Sequence, residues 1–269
     1  MINSHLSRQI RQNFPHTPTN EQLFALNILA DFLLSANENS ALLLKGYAGT
    51  GKTSLVGALV KTMSGLKQKS VLLAPTGRAA KVLSNYAGQQ AFTIHKKIYR
   101  QDAFSNDLSA FHPSDNLHKD TLFIVDEASM ISNQGIDSHY FGSGRLLDDL
   151  VHYVYSGENC RLMLMGDTAQ LPPVMQVESP ALQADILKGY NLQVDEIQLT
   201  EVVRQDLNSG ILYNATLLRD SLRNNRVEIY PKLTVKGFAD IQMINGSELI
   251  EAISNAYSKD GLDDTIVIS

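Results

Sequence analysis

A glycine-rich segment of eight residues lies between the apolar run Ala41–Leu44 and a stretch with helical spacing. It reads Gly46-Tyr47-Ala48-Gly49-Thr50-Gly51-Lys52-Thr53 and is followed by Ser54. This is the P-loop pattern, in which backbone N–H groups and a helix N-terminus bind phosphate oxygens. We expect Lys52 to reach the β- and γ-phosphates and Thr53 to ligate Mg²⁺. The alternative is a chance glycine-rich turn, which the flanking strand and helix patterns disfavour.

Two acidic residues, Asp126 and Glu127, directly follow the apolar run Leu122–Val125. In a chain with a P-loop, such a pair predicts the second half of a magnesium site. Asp126 would hold the ion, directly or through water, and Glu127 would orient and deprotonate the attacking water. The alternative is an acidic pair at a helix N-terminus, which interacts with the helix dipole and needs no metal.

Two glutamines have both a structural and a functional interpretation. Gln170 follows the run Leu162–Met165 and would sense the γ-phosphate or place the water, whereas a turn capped by Asp167 explains the segment equally well. Gln22 is the fourth residue of Thr19-Asn20-Glu21-Gln22, which is a capping box. The pattern alone favours that box over recognition of an adenine edge by Gln22.

Small polar and basic residues after the run Val71–Ala74 predict contacts with the phosphates of a single nucleic-acid strand. The candidates are Pro75, Thr76, Arg78, Thr93 and His95. A plain turn followed by a helix start explains them equally well. Arg204 is either a charge on the γ-phosphate or a surface arginine.

These residues need a common scaffold, and the apolar runs predict one. The runs are continuous rather than alternating, which is typical of strands buried on both faces of a parallel sheet. Between them lie segments with helical spacing: Asn20–Leu34, Lys52–Met63 and Gly77–Tyr86. Strands alternating with helices predict a doubly wound α/β fold with right-handed crossovers. Ligands of such sheets collect at the carboxyl ends of the strands.

Composition limits the remaining classes. The 269 residues carry a net charge of −5, which excludes a uniformly basic nucleic-acid coat but allows a local basic groove. Cys160 is the single cysteine, so the chain has no intramolecular disulfide or multi-cysteine zinc site, and a buried thiol is expected. Met1–Phe14 has no apolar signal-peptide core, and no stretch has the length of a membrane span. A soluble, cytoplasmic protein is the resulting expectation.

Two regions depart from the alternating pattern. Lys96–Lys119 is polar and aperiodic, which predicts a functional or mobile insertion. After Arg204 the composition changes, and the patterns predict a helix at Asp206–Asn224 and an alternating stretch at Val227–Ile244. A serine-capped helix at Ser247–Lys259 and a strand at Thr265–Ser269 are predicted to follow. We therefore expect one domain at 1–204, with an insertion at 96–120, and a linker with the start of an incomplete second domain at 205–269.

Together, the motifs and their order resemble superfamily 1 helicases of the RecD-like and Dda-like branch. The resemblance covers roughly three quarters of the chain, in Thr19–Gln22, Gly46–Ser54, Ala74–Ala80, Thr93–His95, Val125–Met130, Gly166–Val174 and Leu199–Gln205. It implies that Gln22 reads adenine and that Gln170 and Arg204 contact the γ-phosphate. It also implies that Thr76, Arg78 and His95 lie in motifs that line a DNA path.

The resemblance also implies ATP and Mg²⁺ as cofactors and a P-loop ATPase of the RecA-like fold. Gln170-Leu171-Pro172-Pro173-Val174 has the RecD-like form without the aromatic residue of UvrD-like relatives, which implies 5′→3′ movement on single-stranded DNA. Residues 96–120 occupy the place of a pin that splits duplex junctions. Members of this group continue into a second RecA-like domain, of which Thr265–Ser269 resembles the first strand.

The leading hypothesis is thus the N-terminal portion of an ATP-dependent DNA helicase that hydrolyses ATP slowly and does not unwind by itself. Repair, recombination, plasmid transfer and phage replication all use relatives of this kind. One alternative is a nucleotide-gated DNA-binding module with negligible turnover. Another is a P-loop phosphotransferase that acts on a small molecule.

Overall fold

A computed structural model describes residues 2–101, 111–134, 142–203, 209–223, 231–261 and 265–267. The chain divides into two compact units, Met1–Arg204 and Gln205–Ser269. The candidate site residues that the structure describes all belong to the first unit.

A six-stranded parallel sheet forms the centre of the first unit. Its strands are β1 (Ser40–Gly46), β2 (Lys69–Ala74), β3 (Ala91–Thr93), β6 (Lys119–Val125), β7 (Glu158–Gly166) and β8 (Gln193–Leu199). Their order in the sheet is β3-β2-β6-β7-β1-β8. The four predicted runs are the four central strands, which are buried on both faces and therefore apolar throughout. The edge strands β3 and β8 were not predicted, because β3 has three residues and β8 mixes polar with apolar residues.

Helices cover both faces of the sheet. On one face lie α1 (Ile2–Gln12), α2 (Asn20–Leu34), α3 (Lys52–Gly65) and α4 (Gly77–Ala87), and on the other lie α5 (Ile94–Ile98), α6 (Leu146–Tyr155) and α7 (Ala184–Lys188). Alternate residues of one strand enter the two cores, with Leu42 and Leu44 on the α3 side and Leu43 on the α6 side. The predicted α/β fold with a doubly wound parallel sheet is confirmed.

Helix α1 lies in the N-terminal segment Met1–Phe14, for which no helix was predicted. Its apolar residues Leu6 and Ile10 are four positions apart, so they share one face and are buried. Cys160 is buried as predicted, at 2% exposure. Among the described residues, no helix combines the length and the apolar composition needed to cross a membrane.

The polar region that begins at residue 96 contains an antiparallel strand pair. After α5, β4 (Tyr99–Gln101) pairs with β5 (Phe111–Pro113), and β6 of the central sheet already begins at Lys119. The strand pair lacks an alternating pattern because each strand has three residues, so periodicity did not reveal it. Residues 102–110 lie outside the described part of the chain.

The second unit contains α8 (Gly210–Arg223) and α9 (Leu249–Asp260), close to the two predicted helices. The predicted serine cap of α9 is wrong. The N-cap is Glu248, which makes no side-chain cap hydrogen bond. Asn245 Oδ1 accepts hydrogen bonds from the amides of Ser247 and Glu248 in the turn before the helix. Of the predicted strand Thr265–Ser269, residues 265–267 form no strand, contrary to expectation, and residues 268–269 lie outside the described part.

Candidate functional site

The loop between β1 and α3 has the conformation that phosphate binding requires. Gly49 and Gly51 adopt φ of 83° and 89°, a left-handed region that strains residues with a side chain. At Gly46, a Cβ atom would lie 2.8 Å from the Thr50 hydroxyl oxygen. Gly51 is the N-cap of α3 and supplies no side-chain cap, an arrangement that favours an anion at this helix N-terminus.

The ammonium group of Lys52 lies over the start of this loop. Its Nζ donates to the carbonyl oxygens of Gly46 and Tyr47, the latter at 3.1 Å. The cation is therefore already at the phosphate-binding loop, and a bound triphosphate would compete with these two carbonyls for it.

The acidic pair lies at the end of β6, as predicted. The Asp126 amide donates to the Leu73 carbonyl of β2 at 2.9 Å, and Asp126 Oδ1 accepts from the Glu127 amide at 2.8 Å. Burial raises the pKa of Asp126 to about 6. The hydrogen bond from the Glu127 amide and the charge of Lys52 act to lower this pKa, whereas the charge of Glu127 acts to raise it. A cation at the Asp126 carboxylate would stabilise its ionised form.

Glu127 adopts a left-handed backbone conformation, with φ of 53°. This region is uncommon for residues other than glycine, and such residues persist only where the surrounding structure holds them. The sequence gives no signal for it, since Glu carries no preference for this conformation.

Two polar contacts join the segment after β7 to the other motif segments. The Ser129 hydroxyl donates to Gln170 Oε1 at 2.9 Å. Asp167, 4% exposed, accepts from the Ala48 amide through Oδ2 and from the Ala169 amide through Oδ1, both at 2.8 Å. The sequence suggested Asp167 only as a local cap. Its contact with the P-loop was missed because the two residues lie 119 positions apart.

Gln22 forms the predicted capping box and also contacts the P-loop. Its amide donates to Thr19 Oγ1 and its Oε1 accepts from the Thr19 amide, at 3.3 and 3.0 Å. Its Nε2 donates to the Thr50 carbonyl at 2.9 Å, and the residue is 2% exposed. The capping-box interpretation of Gln22 is therefore realised.

One cavity of about 450 Å³ joins these groups. The predicted site residues that line it are Gln22, Ala48, Gly49, Gly51, Lys52, Thr53, Ser54, Asp126, Glu127 and Gln170. Three aromatic residues that sequence reasoning missed also line it, Phe14, His16 and Tyr86, together with Tyr47 of the P-loop. Their flat rings are suited to contact a nucleobase. Phe14 and His16 lie just before the capping box, and this proximity in the sequence is the signal that could have indicated them.

Arg204 lies outside the described residues, so its predicted contact with the γ-phosphate has no structural description here. The residue before it, Val203, donates its amide to the Gly49 carbonyl at 3.0 Å and lines the cavity. Glu21 fixes the start of this segment, because its carboxylate accepts from the Thr200 and Glu201 amides at 2.7 and 2.9 Å. Although burial acts to raise it, the hydrogen bonds from Thr200 and Glu201 lower the pKa of Glu21.

A second cavity, of about 250 Å³, contains three of the five predicted DNA contacts. Pro75, Thr76 and His95 line it. Arg78 is exposed on α4 and does not line it, and neither does Thr93. The other lining residues are Tyr99, Met130, Ser132, Gln134, Gly144 and Leu146.

Two of the five predicted DNA contacts, Thr76 and Thr93, also have the structural role that the sequence left open, which is to start a helix. Thr76 Oγ1 accepts from the Ala79 amide and Thr93 Oγ1 from the Lys96 amide, each at 3.2 Å, so both cap helices. A further cavity, of about 520 Å³, lies at the opposite ends of the strands, near Asp120, Asn159 and Arg161, and no motif residue lines it.

The chain is similar to proteins with known names. Residues 31–233 match the AAA domain family. The ATP-dependent RecD2 DNA helicase of Deinococcus radiodurans is 32% identical over 173 residues, which cover 64% of this chain and 21% of that protein. The ATP-dependent DNA helicase dda of Enterobacteria phage T4 is 29% identical over 184 residues, which cover 67% and 38%. An uncharacterized protein of Acanthamoeba polyphaga mimivirus is 27% identical over 251 residues, which cover 82% and 46%.

The chain thus spans less than half the length of these curated relatives. Among solved structures, the Pif1 helicase from Candida albicans is similar over 90% of this chain and 54% of its own, with 20% identity and a TM-score of 0.47. The family match covers most of the chain. The chain belongs to the AAA domain family, and its motifs resemble those of superfamily 1 helicases of the RecD-like and Dda-like branch.

Proposed function

We propose that this chain hydrolyses ATP in the 450 Å³ cavity and couples hydrolysis to 5′→3′ movement along single-stranded DNA. The observation that supports this best is the convergence of Lys52, Thr53, Asp126, Glu127 and Gln170 on one cavity. These groups come from the ends of three different strands, and they supply a phosphate cation, oxygen ligands, a base and a γ-phosphate contact.

The donor set fits Mg²⁺. Thr53 and Asp126 offer the hard oxygen ligands that this ion prefers, and the buried Asp126 carboxylate needs a positive partner. When bound, the ion neutralises charge on the β- and γ-phosphate oxygens. Lys52 would bind the same phosphates from the loop side.

Glu127 would orient a water molecule and accept its proton as the water attacks the γ-phosphate. Gln170 would contact the γ-phosphate, and Arg204 would add a second positive charge there. Gln22 would leave the Thr50 carbonyl to read the adenine edge, between aromatic rings such as Phe14 and Tyr86.

Coupling to DNA would pass through the turn after β6. Glu127 lines the nucleotide cavity and Met130, three residues later, lines the second cavity with Thr76 and His95. Because Glu127 and Met130 belong to one short turn, a displacement of one would move the other. The strand pair of β4 and β5 would separate duplex junctions, since Tyr99, the first residue of β4, lines the second cavity.

The test is the rate of ATP hydrolysis with and without single-stranded DNA. We expect a slow basal rate that DNA raises severalfold, whereas no response to DNA would contradict the proposal. Direction is read from a protein that contains this chain together with a second RecA-like domain, on substrates with a 5′ or a 3′ single-stranded tail.

A nucleotide-gated DNA-binding module is the second candidate. The contacts of Lys52 with the Gly46 and Tyr47 carbonyls favour it, because they occupy the cation that hydrolysis needs. Negligible turnover with and without DNA, together with nucleotide-dependent DNA affinity, would support this alternative.

A further inference from the structure

A buried serine outside the helicase motifs contacts the turn that follows Glu127. Ser179 is 2% exposed and is the N-cap of a short 3₁₀ helix, Pro180–Leu182. Its hydroxyl oxygen lies 2.8 Å from the Ala128 carbonyl and 2.7 Å from the Ile131 carbonyl. The hydroxyl proton is shared between these two acceptors, and the oxygen accepts from the Ala181 amide at 3.3 Å.

The two carbonyls lie at opposite ends of one turn. Ala128–Met130 forms a 3₁₀ turn directly after Glu127, closed by hydrogen bonds from the Met130 amide to the Glu127 carbonyl and from the Ile131 amide to the Ala128 carbonyl, both at 3.1 Å. A donor that reaches both ends fixes the orientation of the whole turn.

The surroundings leave this turn little room on its other side. At Gly166, the last residue of β7, a Cβ atom would lie 3.0 Å from both the Ser129 amide nitrogen and the Leu182 side chain. The turn is therefore packed between the end of β7 and the segment that begins at Ser179. Leu182 is 1% exposed and belongs to the same core as Ala128 and Ile131.

Glu127 needs such support because its backbone is left-handed, at φ of 53°. That conformation is unfavourable for a residue with a side chain, and it persists only if the following residues are held. Without the hydroxyl of Ser179, the turn can relax, and the Glu127 carboxylate would move away from its place in the cavity.

We propose that Ser179 is a positioning residue for Glu127. This inference rests on the proposed function, because it takes Glu127 as the group that activates water. Ser179 does not line the nucleotide cavity, so it acts through the turn and not on the nucleotide. Its loss should slow the chemical step and leave nucleotide binding almost unchanged.

The test compares Ser179→Ala with Ser40→Ala in the 269-residue chain. Ser40 is a matched control because it is 1% exposed and its hydroxyl donates to the Asn37 carbonyl at 2.8 Å, at the opposite end of β1 from the P-loop. Both variants remove one buried hydroxyl. We expect kcat to fall by about tenfold or more in Ser179→Ala, with the KM for ATP and the Kd for a fluorescent ATP analogue changed less than about threefold. Ser40→Ala should lower Tm and keep kcat.

Ser179→Cys is the second variant, and it serves if Ser179→Ala does not fold. It retains a side chain of similar size with a weaker donor, so kcat should be reduced at an unchanged KM. Unchanged kcat in a folded Ser179 variant, or equal losses of kcat in the Ser179 and Ser40 variants, would overturn the positioning role. In either case, hydrolysis of ATP by the wild-type chain would leave the proposed function intact. A wild-type chain that hydrolyses no ATP would instead contradict the proposed function.

Discussion

The carboxylate of Asp167 accepts a hydrogen bond from the backbone amide of Ala48 at 2.8 Å. This contact joins the segment after β7 to the P-loop, and Asp167 is almost fully buried. A negative group near a phosphate site is unfavourable by charge, so its presence indicates that it holds the loop in shape. The P-loop conformation therefore depends on a residue far away in the sequence.

Replacing Asp167 should accordingly weaken nucleotide binding and stability together. Asp167→Ala leaves the amides of Ala48 and Ala169 without this acceptor, at a cost of about 1–3 kcal/mol. We expect a fall in Tm of several degrees and a loss of nucleotide affinity of about tenfold, measured by thermal melting and by titration with a fluorescent ATP analogue. Asp185→Ala is the control, because Asp185 pairs with Lys188 on the exposed surface of α7. Equal effects of the two changes would show that Asp167 has no special role in the P-loop.

Lys52→Ala and Glu127→Gln should each abolish DNA-stimulated ATP hydrolysis, for different reasons. Loss of Lys52 removes the cation from the loop and should also reduce nucleotide affinity. Glu127→Gln removes the proton acceptor and should leave nucleotide affinity close to that of the wild type. Steady-state hydrolysis and equilibrium binding separate the two. Near-normal turnover in either variant would exclude the proposed mechanism.

Gly51→Ala should disrupt the P-loop through the backbone. Gly51 has φ of 89°, and its Cβ atom would lie 2.4 Å from Gln22 Nε2. The left-handed conformation alone costs about 1–2 kcal/mol for alanine, and Gln22 would have to leave the loop. We expect loss of measurable nucleotide binding and a lower Tm.

Gly65→Ala is the matched control for that change. Gly65 is the last residue of α3, and a Cβ atom there would meet no atom within 4 Å. Alanine is the better helix former by about 0.5–1 kcal/mol, so Tm should stay constant or rise. A Gly51 variant that binds nucleotide as well as the Gly65 variant would contradict the structural account of the loop.

The stability contributed by Glu21 should depend on pH. Because hydrogen bonds from Thr200 and Glu201 lower the pKa of Glu21 from its usual 4.5, the folded state favours the ionised form. This contribution is complete above pH 4.5 and is lost as pH falls through the lower pKa of the folded state. Glu21→Gln should therefore have a lower Tm than the wild type at pH 7, and the difference should shrink below pH 4.

Melting curves at several pH values test this, with Glu38→Gln as the control. Glu38 is exposed, so its replacement should leave Tm unchanged at neutral pH. A Tm difference for Glu21→Gln that is constant from pH 7 to acid pH would show that the charge of Glu21 contributes nothing.

The sequence predicted what depends on local pattern. The central strands are apolar throughout because both faces are buried, and the P-loop and the Asp126–Glu127 pair follow them at fixed positions. The capping box of Thr19 and Gln22 was predicted because its residues are three positions apart. The α/β fold and the positions of these motifs at the ends of the strands were accessible by these means.

What stayed hidden depends on contacts between distant segments or on backbone conformation. The pairing of Asp167 with Ala48 and the contact of Ser179 with Ala128 join residues that the sequence does not relate. The left-handed backbone of Glu127 follows from tertiary packing, not from the preference of glutamate. A cap of α9 was predicted at Ser247 because Ser is a common cap, whereas the structure has Glu248 at the N-cap without a side-chain cap hydrogen bond.

The burial of Cys160 makes the chain suitable for site-specific labelling. The thiol is 2% exposed, and burial raises its pKa, so little reactive thiolate is present at neutral pH. A second cysteine at a fully exposed position such as Val177, in the loop after Gln170, would therefore react with a maleimide dye while Cys160 is protected. A fluorophore at that position can report on nucleotide-dependent movement of the loop in a chain with its native thiol in place.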